Sequence, residues 1–67
     1  MKIKYDPSVD AVYIKLDDSE IVSTKKLDNR TIIDFDKKGN VVGVELLFVK
    51  ERNPDFLRKL QVENLAA

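Results

Sequence analysis

The sequence predicts an α+β fold: an antiparallel β-meander of four to five strands, followed by one C-terminal α-helix packed on one face of the sheet. Three observations carry this expectation. Two β-branched, apolar runs at residues 31–35 and 41–48 flank Asp36-Lys37-Lys38-Gly39-Asn40, a cluster of turn formers, and so read as a hairpin. Shorter alternating segments separated by polar breaks precede it. Beyond it, Asn53-Pro54-Asp55 opens a stretch with apolar residues at roughly helical spacing. A sheet with one apolar face and a helix with one apolar stripe bury each other.

The elements follow in order. Residues 2–6 alternate, with Ile3 and Tyr5 on one face and Lys2, Lys4 and Asp6 on the other, as a half-buried strand does. Pro7 has a fixed φ and no N–H, so the strand ends there; Asp6 is the expected side-chain acceptor of the turn and Asp10 its closing residue. A second strand runs over 11–16, with Val12, Ile14 and Leu16 inward and Ala11, Tyr13 and Lys15 outward. After Asp17-Asp18-Ser19, a third strand is expected over 20–27. Its weak alternation and its paired Lys25 and Lys26 fit a sheet edge, where charge discourages chance pairing.

Residues 28–30 form the next turn, and the hairpin follows. Pairing Asp36 with Val41 sets Phe35 opposite Val42, Ile33 opposite Val44 and Thr31 opposite Leu46. One face then becomes Ile33, Phe35, Val42, Val44, Leu46 and Phe48, whereas a tighter register mixes polar and apolar residues on both faces. Gly39 and Asn40 are the residues that tolerate positive φ in the loop. The second face of the hairpin carries Ile32, Asp34, Asp36, Val41, Gly43, Glu45 and Leu47, too apolar for a wet surface and too acidic for a core. Gly43 in mid-strand implies close approach of another backbone or a bulky side chain. Asn53 is the expected helix N-cap, with Pro54 first in the helix and Asp55 where the helix dipole favours an anion. The helix is expected over about 54–64, with Phe56, Leu57 and Leu60 on its apolar stripe.

Composition narrows the function. The 67 residues make a single small domain over 1–67, with the sheet over about 2–49, and a thin core. There is no Cys and no His, so disulfides, a thiolate zinc site and a Ser-His nucleophile are excluded. The 12 basic and 12 acidic residues cancel, which argues against nucleic acid as a bulk-charge partner and against docking to an anionic membrane. No apolar run reaches transmembrane length, and residues 1–6 alternate rather than form a leader, so a cytoplasmic location is expected. Without disulfide or zinc staples, self-association is the remaining way to enlarge the core.

Three constellations bear on chemistry. Residues 34–45 overlay on an EF-hand loop, with Asp34, Asp36, Gly39 and Glu45 at the first, third, sixth and twelfth positions. Lys38 then falls among the ligands and both flanks read as strands, so a hairpin turn with solvated acids is the stronger reading. Asp34 and Glu45 also sit diagonally on one face, roughly 7–8 Å apart at the backbone, but no His, phosphate-binding loop or nucleophile elbow accompanies them. The basic pairs Lys25-Lys26 and Lys37-Lys38 are interrupted by acids, and only Tyr13 offers an exposed stacking group, so a solvated surface outweighs a nucleic-acid site.

Taken together, Tyr5-Asp6-Pro7, Asp10-Ala11, Tyr13-Ile14 and Leu16, then Asp34, Asp36, Gly39, Val41-Val42-Gly43, Glu45 and Leu47, resemble the DUF 2283 family of small prokaryotic proteins. The resemblance covers roughly residues 3–48. It implies a small β-rich domain, no assigned activity and no catalytic residues to carry over. It also implies an association with small toxin-like proteins, and hence an antitoxin-like or partner-binding role. The expected function is a non-enzymatic protein-interaction module without cofactors, forming a homodimer or binding an unidentified protein. The interface candidates are Ile32, Val41, Gly43 and Leu47 on the sheet and Phe56, Leu57 and Leu60 on the helix. The alternatives are a weak divalent-metal binder or metal-dependent enzyme using Asp34, Asp36 and Glu45, and a small nucleic-acid regulator.

Overall fold

A computed structural model of the chain describes residues 1–55 and Arg58. It is an α+β structure: β1 (Lys2–Asp6), β2 (Ala11–Lys15), β3 (Ser23–Asp28), β4 (Thr31–Phe35), β5 (Val41–Leu47) and a short helix, α1 (Val49–Arg52). The five strands form one antiparallel sheet in the order β1-β2-β5-β4-β3. The chain meanders through β1–β2 and through β3–β4–β5. The last strand, β5, then inserts at the centre and joins the two halves by pairing with β2.

That order explains where the third strand begins. β2 and β3 are three positions apart, so residues 16–22 cross the end of the sheet rather than pair as a strand. The crossing is held by Leu16 and Asp17 N–H groups donating to the Val42 carbonyl at 2.8 and 3.2 Å, and by Val22 N–H donating to Phe35 O at 2.8 Å. β3 therefore starts at Ser23 instead of Glu20. It is fully exposed along its length and lies at a sheet edge, as its lysines imply. A bulge between Lys26 and Asp28 leaves Leu27 as its extra residue.

The hairpin register follows the apolar matching over most of its length: Thr31 opposes Leu46, Ile33 opposes Val44 and Asp34 opposes Gly43. It differs at the turn. Phe35 opposes Val41 rather than Val42, through a bulge, because the turn is tighter than a four-residue loop. Asp36 N–H donates to Asn40 O at 2.9 Å and Gly39 N–H to Asp36 O at 3.1 Å. Gly39 takes positive φ (84°) as expected, and Asn40 does not.

Register defines the two faces, since opposed residues in antiparallel pairs point the same way. One carries Ile3, Tyr5, Val12, Ile14, Ile33, Val44 and Leu46. The other carries Lys4, Tyr13, Lys15, Gly43, Glu45, Ile32, Asp34 and Thr24. Of the expected core face, only Val42 is buried; Ile33, Phe35, Val44 and Leu46 are half-buried. Phe48 is 44% exposed, because the chain leaves β5 there through a left-handed residue (φ 55°) and turns into α1. Residues 49–52 form that single turn of helix, so the sheet expected over about 2–49 ends before Val49. Asn53 N–H closes it on Val49 O at 2.9 Å, so Asn53 is the C-cap of α1, and its Oδ1 accepts the Asp55 N–H at 3.2 Å. The helix expected over 54–64, with Phe56, Leu57 and Leu60, falls almost wholly outside the described residues. No described helix is long and apolar enough to cross a membrane.

Candidate functional site

The polar face is built around a glycine. Gly43 lies in the central strand, and the ring of Tyr13 from β2 passes directly over it. A Cβ added at Gly43 would meet the Tyr13 hydroxyl and stand 2.5 Å from Cζ. The missing side chain lets the tyrosine cross β5 and donate its hydroxyl to Asp34 Oδ2 on β4 at 2.8 Å. From the edge strand, Thr24 donates its hydroxyl to Asp34 Oδ1 at 2.7 Å. Three strands are thus tied across β5 through one carboxylate. Partial burial, then the bond to Asp34 and the charges of Asp34 and Glu45, push the Tyr13 phenol up to about 12.

A second carboxylate organises the opposite end of the molecule. Asp10, in the left-handed region (φ 53°), accepts the Tyr5 hydroxyl at 2.8 Å through Oδ1. Both of its oxygens accept the Lys50 N–H, at 3.2 and 3.1 Å. Its carbonyl accepts the Val49 N–H at 3.2 Å. Phe48, at the cap position of α1, offers no side-chain acceptor, so Asp10 supplies the cap from the β1–β2 loop. Partial burial and the bond to Asp10 raise the Tyr5 phenol. Arg52 adds a bond to Arg30 O at 3.0 Å and Glu51 an ion pair with Arg30 at 3.6 Å, fastening α1 to the β3–β4 turn.

The remaining acids close turns. Asp6 Oδ1 accepts the Ser8 N–H and hydroxyl at 2.9 and 2.6 Å, as expected of it. Asp17 does the same for Ser19, and Asp28 for the Arg30 N–H. These hydrogen bonds hold Asp6, Asp17 and Asp28 below the usual carboxylate range. Asp36 Oδ1 accepts the N–H groups of Lys38 and Asn40 at 2.8 and 2.9 Å.

The metal candidates are therefore spread out. Asp34 is engaged by two hydroxyls, Asp36 is folded into its own turn, and Glu45 stands opposite Tyr13 and Ile32. Among the described residues, no group of three or more acidic side chains is placed to hold a metal ion. An open cavity of about 470 Å³ lies between residues 17–22 and the β4–β5 turn, lined by Asp17, Glu20, Asp36, Lys37 and Lys38 among others. Its charges are mixed, and two of its carboxylates already accept backbone N–H groups.

Of the interface candidates, Ile32 and Leu47 are half-buried, Val41 is exposed beside its bulge, and Gly43 is covered by Tyr13. Phe56, Leu57 and Leu60 lie outside the described residues. Sequence reasoning placed Asp10 in its loop but missed its reach to α1, forty residues away. It also missed Thr24, whose partnership with Asp34 exists only in the β3–β4 register.

Several of the residues that carry the sequence resemblance hold the sheet and its turns together. Tyr5 meets Asp10, Asp6 and Asp36 close turns, Gly39 takes positive φ, and Tyr13 spans Gly43 to reach Asp34. No curated protein and no solved structure matches the chain. A family model described as protein of unknown function (DUF2283) matches residues 2–50, which take in all five strands and the first turn of α1. With its motif residues accounted for as the joints of one sheet, the chain belongs to the DUF2283 family.

Proposed function

We propose that the chain is a non-enzymatic protein-interaction module that self-associates as a homodimer. One observation carries this reading. Among the described residues the only buried apolar side chains are those of Ala11, Val12, Val42 and Val49, while Ile3, Val9, Leu16, Ile21, Val22 and Leu27 are among the large apolar side chains left exposed. A five-stranded sheet with three buried apolar side chains, and a fourth on α1, has apolar surface to spare, and burying it against another protein is the favourable outcome. The candidate carboxylates are spent on hydroxyls, turns and a helix cap, which favours a scaffold role over catalysis.

Sedimentation equilibrium tests the reading. A dimer that dissociates on dilution between about 1 mM and 10 µM is expected for a small interface. A strict monomer across that range overturns it.

A further inference from the structure

We propose that the outer edge of β1 is the dimer contact, pairing antiparallel with β1 of a second copy about a two-fold axis at Lys4. This deepens the self-association reading and rests on it. The sheet has two edges, β1 and β3. Both offer a row of backbone N–H and C=O groups that no described strand pairs.

The edges differ in what they present. β3 carries the bulge at Leu27, and bulges twist an edge away from a partner. Lys25 and Lys26 lie on opposite faces of β3, so a two-fold pairing centred on either lysine opposes it to its own copy, with no lysine–aspartate pair beside it to offset the repulsion. β1 is regular: all five of its residues pair with β2 in unbroken register, so its free edge is straight.

β1 is also nearly self-complementary. Its sequence is Lys-Ile-Lys-Tyr-Asp. Full-length antiparallel self-pairing sets Lys2 opposite Asp6 of the second copy and Ile3 opposite Tyr5 of the second copy, each pair occurring twice by symmetry. The Lys–Asp pairs fall on the polar face. Asp6 makes both of its turn contacts through Oδ1. The Ile3–Tyr5 pairs fall on the apolar face, where Ile3 is 37% exposed, and they make that face continuous across both copies.

Other registers are worse. A one-residue slip sets apolar against polar positions. A two-residue slip sets Lys2 opposite Lys4, or brings Pro7, which cannot donate, into the ladder. The single unfavourable contact of the full-length register is Lys4 opposite its own copy at the axis, and it supplies the diagnostic.

An equimolar mixture of the unchanged chain and Lys4→Glu, weighed intact by native mass spectrometry, reports the register. Across this axis a mixed dimer opposes Lys to Glu, while both homodimers oppose like charges. Mixed dimers well above the statistical half are expected. Lys2→Glu weakens the homodimer roughly three- to tenfold, since two opposed charge pairs become repulsive, and Lys25→Glu on β3 leaves it unchanged. Statistical mixing together with an unchanged Lys2→Glu dimer overturns the β1 contact and leaves self-association standing. A monomeric unchanged chain at about 1 mM overturns both.

Discussion

Tyr13 and Gly43 work as one unit, and the two glycines of the chain are needed for different reasons. Gly39 has open space around its Cβ position but sits at φ 84°, so Gly39→Ala is expected to cost about 1–2 kcal/mol through backbone strain alone. Gly43 has no such φ, and its constraint is the ring above it. Gly43→Ala forces Tyr13 aside and is expected to cost about 1–3 kcal/mol. In a Tyr13→Ala background the same change costs much less, and a urea-unfolding double-mutant cycle reads that coupling. Tyr13 also reports its own environment by absorbance. Its phenol sits at about 12 against an ordinary 10. Because the folded value is raised, its contribution to stability is complete below pH 10 and disappears as pH rises through about 12. An alkaline titration is expected to show one tyrosine midpoint near 12, moving down in Asp34→Asn. That a backbone or a bulky side chain approaches Gly43 closely was legible from a glycine in mid-strand. The identity of that neighbour was not, because Tyr13 comes within reach only through the β2–β5 register.

At the scale of elements, the turns and the short helix are held by carboxylates. Asp6, Asp17 and Asp28 titrate below the usual range because their turn hydrogen bonds favour the charged form. A depressed folded value means stability that is complete above the ordinary carboxylate pKa and is lost as pH falls through the lowered values. Urea midpoints are therefore expected to be flat near neutrality and to drop only in acid below about pH 4. The joint between the β1–β2 loop and α1 has its own test. Asp10→Ala removes the acceptor for the Lys50 N–H and is expected to cost about 1 kcal/mol through loss of the cap. Asp10→Asn, which keeps an acceptor oxygen and tolerates the left-handed backbone, costs less. Hydrogen exchange at the Lys50 amide separates the two. The strands and turns were readable because alternation and turn chemistry are local: β1 lies where its alternation put it, and Asp6 bonds Ser8. The start of α1 was hidden because it depends on Phe48 taking positive φ and on a cap supplied from another loop. The shifted start of β3 was hidden because it depends on which strand β2 neighbours.

For the whole molecule, the position of β5 is the decisive fact: the local pattern announces its hairpin with β4, and nothing in it announces the pairing with β2. The last described strand in sequence is the central strand in space, and it bridges a β1–β2 hairpin to a β3–β4 hairpin. The proposed homodimer is its outward counterpart, with the sheet closed at the centre by β5 and extended at the edge by β1. That arrangement also dictates an order of events in synthesis. Both hairpins close short loops and form early, whereas the β2–β5 ladder joins residues such as Val12 and Leu46 that are far apart in the chain and so forms late. Until residue 47 has left the ribosome, β2 and β4 each lack the neighbour that β5 provides and present an open edge. A nascent chain stalled before residue 41 is expected to be a pair of unjoined hairpins, prone to aggregate and quickly degraded. Once β5 is free it pairs with β4 across their short turn, and the β2 edge is sealed last.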